Sequence, residues 1–110
     1  MTGKFELNTS SNGQFFFNLK AANGQTILSS EMYESKSAAE NGIASVKKNA
    51  GDEARYDRRT AKNGEPYFVL KAGNGEEIGR SETYSSTSAM ENGIESVKTN
   101  APDAAIAETA

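Results

Sequence analysis

Residues 15–50 read FFFNLKAANGQTILSSEMYESKSAAENGIASVKKNA, and residues 66–101 repeat the arrangement as PYFVLKAGNGEEIGRSETYSSTSAMENGIESVKTNA. The stretches are 51 residues apart, since 66 − 15 = 51, and about half of their positions are identical. Self-similarity at a fixed offset indicates an internal duplication. We therefore place the first repeat at residues 3–51, the second at residues 54–102 and a short tail at residues 103–110.

Each repeat begins with three short predicted strands. The aromatic run that starts at residue 15 alternates in the manner of a half-buried strand. Asn-Gly dipeptides at residues 12–13 and 23–24 predict tight hairpin turns, because both residue types tolerate positive φ. The predicted strands cover residues 4–9, 15–21 and 25–30, and in the second repeat residues 55–60, 66–72 and 76–81.

A helix follows the third strand of each repeat. Residues 37–40 (SAAE) and 88–91 (SAME) fit a capping box, in which Ser37 or Ser88 caps the helix. Apolar residues then recur at helical spacing up to the glycine or proline that should end the helix. The residue pattern of each repeat therefore predicts three strands followed by one amphipathic helix.

The length of the chain sets how the two repeats combine. A chain of 110 residues with 35% hydrophobic residues suffices for one modest core. A unit of about fifty residues is marginal alone, because small domains bury a low fraction of their surface. We predict one α+β domain in which the two repeats share a core. The tandem chain is expected to be a monomer, and a single repeat to dimerise.

The tail at residues 103–110 has one large apolar residue, Ile106, among alanines and polar residues. One interpretation is a frayed terminus, since chain ends are ordered only when they are tied down. The other is a short final strand anchored by Ile106. The residues themselves leave both interpretations open.

Composition excludes several classes of function. The net charge of −3 argues against general affinity for nucleic acid or anionic membranes. The chain has no cysteine and no histidine, which excludes disulfides, thiolate metal sites and a conventional serine triad. We predict no catalytic residue, cofactor or metal, although serine–lysine chemistry stays open on composition. With no signal-like or membrane-length apolar run, the expected location is the cytoplasm.

Three motifs occur in both repeats and carry a family resemblance. They are LKAANG at residues 19–24, SEMY at residues 30–33 and GIASVK at residues 42–47, which return as LKAGNG, SETY and GIESVK. On these motifs the chain resembles the YegP-like bacterial family of unknown function. The resemblance implies a β3-αβ motif used twice, with exchanged last strands. The two motifs would form one antiparallel sheet with pseudo-two-fold symmetry and two helices packed on one face. The resemblance also favours the strand interpretation of the tail, and it implies no catalytic residues because the family has no established activity.

Two glycines recur inside the predicted helices. Gly42 and Gly93 each cost roughly 0.5–1 kcal/mol relative to alanine at a helix-interior position. Close approach to the sheet or to the other helix is the main interpretation, with a ligand contact or simple inheritance as alternatives. Tyr33 and Tyr84, in the strand-to-helix connections, are expected to plug the edge of the core.

Strand alternation defines a candidate binding surface. If Phe17 and Leu19 and their counterparts face the helices, the neighbouring side chains face away from them. We call the sheet face opposite the helices the open face. Its predicted binding residues are Phe16, Lys20, Tyr67, Val69, Lys71, Arg55 and Arg59.

Three functions remain in contention, each with a distinguishing feature. The first hypothesis is a non-catalytic binding or interaction module, which should show a contiguous apolar patch on the open face. A nucleic-acid-binding accessory protein requires Lys20, Arg55, Arg59 and Lys71 to converge despite the negative net charge. A small enzyme requires a deep pocket with titratable groups. The sequence identifies no partner.

Overall fold

The computed structural model of the chain describes residues 3–108. All six predicted strands and both helices form, and every strand end lies within one residue of its prediction. A seventh strand lies in the tail. The elements are β1 (Lys4–Thr9), β2 (Phe15–Lys20), β3 (Thr26–Ser29), α1 (Lys36–Asn49), a 3-10 turn (Glu53–Arg55), β4 (Tyr56–Thr60), β5 (Pro66–Lys71), β6 (Glu77–Arg80), α2 (Thr87–Asn100) and β7 (Ala105–Glu108).

One seven-stranded sheet holds these strands in the order β4-β5-β6-β3-β2-β1-β7. The α+β class is confirmed. The first six strands pair antiparallel as predicted, but β7 pairs parallel with β1, so the complete sheet is mixed. A helix, α2, connects β6 to β7, and a helical crossover of this kind lets β7 run parallel to β1. Residues 105–108 thus form the final strand, in which Ile106 lies next to Phe5. Ile106 is 43% exposed, so it does not anchor the strand in the core as expected.

The two repeats share one core. Both helices pack on the same side of the sheet, with α1 contacting strands β2, β5 and β6 and α2 contacting β3 and β5. Each helix therefore covers strands from both repeats. The buried cluster joins large apolar side chains of both halves, among them Phe5, Phe17, Leu19, Phe68, Leu70, Ile43, Val46, Ile94 and Val97.

Both helices begin two residues earlier than the capping-box prediction. Ser35 and Ser86 are the N-cap residues, and their hydroxyl oxygens accept from the backbone N–H groups of Ala38 and Ala89. The prediction of Ser37 and Ser88 as caps is therefore wrong. Starting earlier extends the helix by two residues while the earlier serine supplies the same kind of cap.

The helix glycines lie against aromatic rings. A Cβ added to Gly42 would overlap the hydroxyl end of Tyr33 and come within 2.9 Å of Phe17 Cε2. At Gly93 it would overlap Tyr84 in the same way. Tyr33 stacks on Phe17 with ring centroids 6.1 Å apart, and partial burial raises the pKa of its hydroxyl. This geometry fits the close-approach interpretation, with the tyrosine of the strand-to-helix connection as the neighbour.

Candidate functional site

Six of the seven predicted binding residues lie on the open face. In β5, Phe68 and Leu70 belong to the core, so Tyr67 and the residues that alternate with it face the other way. Neighbouring strands add Arg59 opposite Tyr67 and Arg80 opposite Val69. The residues placed on this face as predicted are Phe16, Lys20, Arg59, Tyr67, Val69 and Lys71.

Arg55 lies elsewhere. The prediction began β4 at this residue, but β4 begins at Tyr56 and Arg55 ends the 3-10 turn before it. Its Nε donates to Asn49 Oδ1 at the end of α1 (3.2 Å), and its guanidinium pairs with Asp52 at 3.6 Å. The turn redirects the Arg55 side chain toward α1. Arg55 therefore does not join the other three cations that the nucleic-acid hypothesis requires to converge.

The apolar residues of the open face do not form the expected exposed patch. Val69 is fully buried, yet it lies outside the cluster beneath the helices. Its cross-strand neighbours on the open face are Asp57 and Arg80. Phe16 and Tyr67 are only partly exposed, and Arg80 lies over the Tyr67 ring at 5.7 Å. Charged side chains therefore lie beside Val69 and over Tyr67 on this side of the sheet.

Each repeat builds a charged cluster around one carboxylate. In the first flank, Glu6 pairs with Lys20 at 3.3 Å and Lys4 at 3.6 Å. In the second flank, Asp57 pairs with Arg59 at 2.9 Å and Lys71 at 3.5 Å. The Arg59 hydrogen bond is the main reason why the pKa of Asp57 is lowered.

The two flanks explain why one lysine recurs in both repeats. Lys20 and Lys71 are equivalent, since 71 − 20 = 51, and so are their partners Glu6 and Asp57, since 57 − 6 = 51. Each lysine therefore pairs with the carboxylate of the neighbouring strand. This ion pair is a structural reason for the recurrence that needs no ligand.

A groove of about 530 Å³ runs between the flanks, where β3 meets β6. We call it the central groove. It is lined by four pairs of equivalent residues: Thr26 and Glu77, Ser29 and Arg80, Ser30 and Ser81, and Glu31 and Glu82. The recurring glutamates belong to the SEMY and SETY motifs, but the sequence does not predict the groove. The groove forms only where β3 and β6 meet, and these strands are far apart in the chain.

The identical pairs in the central groove have different roles. The Ser30 hydroxyl accepts from the backbone N–H of Phe17 at 2.8 Å and donates to the carbonyl of Glu31 at 2.8 Å. Ser81 makes the same two bonds in the second repeat. By contrast, the carboxylates of Glu31 and Glu82 form no ion pair with another residue between 3 and 108.

The shifted pKa values follow from packing and ion pairing. Burial raises the pKa of the Tyr56 hydroxyl, which donates to the carbonyl of Ala50 at 2.6 Å. Hydrogen bonds from Lys98 and Arg58 lower the pKa of Glu53, and one from Arg58 lowers that of Glu91. Each of these carboxylates is held ionised, which is unsuited to a general acid. Between residues 3 and 108, no three carboxylates gather as a possible metal site.

Comparison with known proteins defines the class of protein. The family described as "Domain of unknown function (DUF1508)" matches residues 10–57 and again residues 61–108. The chain therefore belongs to this family and contains its domain twice. The residues described include no helix long and apolar enough to cross a membrane.

Individual relatives agree with this assignment. The UPF0339 protein MS1092 of Mannheimia succiniciproducens is 63% identical over 99 residues, covering 90% of this chain and 88% of its own. The solution NMR structure of the Escherichia coli protein of unknown function yegP has a TM-score of 0.94 at 50% identity, covering 99% and 94% of the two chains. That of the UPF0339 protein SO3888 of Shewanella oneidensis scores 0.92 at 54% identity, covering 98% and 92%. The predicted resemblance to YegP-like proteins is thus confirmed.

Proposed function

We propose that this protein is a non-catalytic module that binds a protein partner across its open face. The observation that carries the proposal is a symmetric charge pattern. Each flank has two cations around one carboxylate and is positive by one charge. The central groove holds Glu31, Glu77 and Glu82 against Arg80 and is negative by two charges. The complementary surface is a protein segment with a basic residue between acidic ones.

The same pattern disfavours nucleic acid, the second candidate. A phosphate backbone that crossed both flanks would have to pass the carboxylates of the central groove. The cations of the flanks are also engaged with Glu6 and Asp57, so phosphates would compete with existing ion pairs. Phe16 and Tyr67 supply the aromatic surface that single-strand binding uses, and that observation keeps this candidate in the test.

An enzyme finds less support in the groove. The recurring serine hydroxyls each accept a backbone N–H and donate to a carbonyl, so neither is poised as a nucleophile. All eight residues that line the groove are polar or charged types, whereas hydrophobic and aromatic side chains predominate in typical small-molecule sites. Lys20 and Lys71, the open-face lysines that recur in both repeats, are paired with carboxylates.

The test compares two variants with the same change in charge. Glu31→Gln/Glu82→Gln removes the negative centre of the groove, and Glu40→Gln/Glu95→Gln removes two exposed glutamates of the helices. Full-length protein, immobilised as wild type and as each variant, is used to capture proteins from native lysate. We expect a captured protein that is lost by the groove variant and kept by the control.

Direct binding then decides between the candidates. The captured protein is titrated into the labelled chain, and amide shifts should centre on residues 14–21, 29–31, 65–72 and 80–82. A single-stranded DNA oligonucleotide is titrated in parallel over a range of salt concentrations. Tight, steeply salt-dependent DNA binding that the groove variant strengthens would replace our proposal with the nucleic-acid function. Shifts confined to the helices would refute the use of the open face.

A further inference from the structure

The two edges of the sheet are built differently. The outer side of β1 is covered by β7, whose residues Ala105–Glu108 align, at the same offset of 51, with residues 54–57 after α1. Residues 54–57 form part of the 3-10 turn and the start of β4. No strand between residues 3 and 108 therefore lies beside β4 in the position that symmetry assigns to a copy of β7.

The sequences of β1 and β4 differ in step with this asymmetry. Leu7 and Arg58 are equivalent, since 58 − 7 = 51. Leu7 lies beside β7 and is 1% exposed, whereas the side chain of Arg58 is 35% exposed. Both residues belong to the helix side, because their cross-strand neighbours are the core residues Phe17 and Phe68. A charge thus replaces an apolar side chain where the covering strand is missing.

Arg58 pairs with two carboxylates on the helix side of this edge, and one of them pairs in turn with a lysine. Its guanidinium donates to both carboxylate oxygens of Glu91 in α2, one of them at 2.9 Å. It also pairs with Glu53 in the 3-10 turn, and Glu53 in turn pairs with Lys98. Lys98 lies over the ring of Tyr56 at 5.8 Å. We call Arg58, Glu53, Glu91 and Lys98 the Arg58 cluster.

We infer that the outer edge of β4 is a second acceptor site for an extended, largely apolar strand of the β7 type, and that the Arg58 cluster closes it. A strand added there would remove water from Arg58 and its partners, and desolvating charges is costly. Charged side chains on edge strands are a known means of preventing strand addition. The other free edge belongs to β7, of which the structure describes four residues.

The experiment replaces Arg58 by leucine, the residue that the first repeat has at the equivalent position, Leu7. Arg58→Leu is titrated with a synthetic peptide of residues 102–108 (PDAAIAE), and binding is followed by amide shifts of the full chain. Arg59→Asn is the matched control, because it also restores a first-repeat residue, Asn8, but on the open face. We expect Arg58→Leu to bind the peptide at least tenfold more tightly than wild type or control, with shifts at residues 56–60.

A second measurement needs no substitution. High salt screens exposed ion pairs, so peptide binding by wild type should strengthen severalfold between low salt and 1 M salt. This comparison stands even if Arg58→Leu does not fold. A folded Arg58→Leu protein that binds the peptide no better than Arg59→Asn would overturn the inference. Without a folded variant, wild-type binding that stays unchanged with salt would overturn it, as would peptide shifts confined to residues 4–9.

Discussion

Ser29 and Arg80 lie directly opposite each other where β3 meets β6, and they are equivalent residues of the two repeats, since 80 − 29 = 51. The pseudo-two-fold axis therefore passes between them. The strand registers on the two sides agree with this axis. The β2–β3 pairing shifts register between Leu19 and Lys20, and the β5–β6 pairing shifts at the equivalent point before Lys71. Each position of β1, β2, β3 and α1 thus has a counterpart in the second repeat for comparison.

The first prediction concerns the helix glycines. Gly42→Ala should lower the free energy of unfolding by roughly 1–2 kcal/mol, because overpacking a filled site costs about 1–3 kcal/mol. That cost exceeds the gain of up to about 1 kcal/mol that alanine brings to a helix interior. Gly93→Ala should have a similar cost, because an added Cβ there lies 2.7 Å from Tyr84 Cζ, against 2.9 Å from Tyr33 Cζ at Gly42. Urea unfolding of both variants and of wild type measures the cost.

Two further variants separate crowding from other causes. Gly51→Ala is the matched control, since an added Cβ at Gly51 meets nothing within 4 Å. In Gly42→Ala, the additional change Tyr33→Phe should recover part of the loss, because the tyrosine hydroxyl is the nearest crowded atom. Clear stabilisation by Gly42→Ala would remove close packing as the reason for this glycine.

The second prediction concerns stability at alkaline pH. Burial raises the pKa of Tyr56 above its ordinary value of about 10. The neutral hydroxyl is thus favoured in the folded state, and its contribution is complete below about pH 10 and falls as the pH rises toward the folded pKa. Tyr56→Phe should cost about 0.5–1.5 kcal/mol at neutral pH through the lost hydrogen bond to Ala50.

The pH dependence distinguishes this effect from simple packing loss. Above pH 10 the unfolding free energy of Tyr56→Phe should decline less steeply than that of wild type. Phenylalanine fits this position in the first repeat, where Phe5 is the equivalent residue and is fully buried. Parallel curves for the two proteins between pH 9 and pH 11 would show that Tyr56 does not govern the alkaline loss.

The third prediction concerns the dependence of one repeat on the other. Residues 1–60 alone should not form a stable monomer, because α1 also packs on β5 and β6, which this fragment lacks. The fragment should instead dimerise or stay largely unfolded. Analytical ultracentrifugation combined with urea unfolding provides the measurement. A cooperative, monomeric fragment would contradict the shared core.

Local signals in the sequence were sufficient to predict most of the fold. The Asn-Gly turns fixed the strand ends, and Gly24 and Gly75 take the positive φ values of 87° and 88° that such turns need. Alternation placed Tyr67 and Lys71 on the correct side of β5. The helix start was misplaced because Ser35 and Ser37 compete for the same capping role, and the sequence does not rank them.

The candidate site was harder to predict because it depends on contacts between distant segments. Alternation indicated that Val69 points away from the helices, but not that Asp57 and Arg80 lie beside it. The direction of Arg55 depends on a three-residue turn that no propensity indicates. The central groove arises only when β3 and β6 meet, and a pattern within either strand does not report that meeting.

Arg80 stands on one side of the pseudo-two-fold axis, and Ser29 takes its place on the other. A perfectly symmetric face would offer an elongated partner the same contacts in two opposite directions, and both would be populated equally. Differences between equivalent residues separate the two directions, because at the axis an acidic residue of the partner reaches Arg80 in one direction and Ser29 in the other. Each 1.4 kcal/mol of that difference favours one direction tenfold. Fusing the two repeats into one chain thus allows a nearly symmetric surface to hold its partner in one orientation.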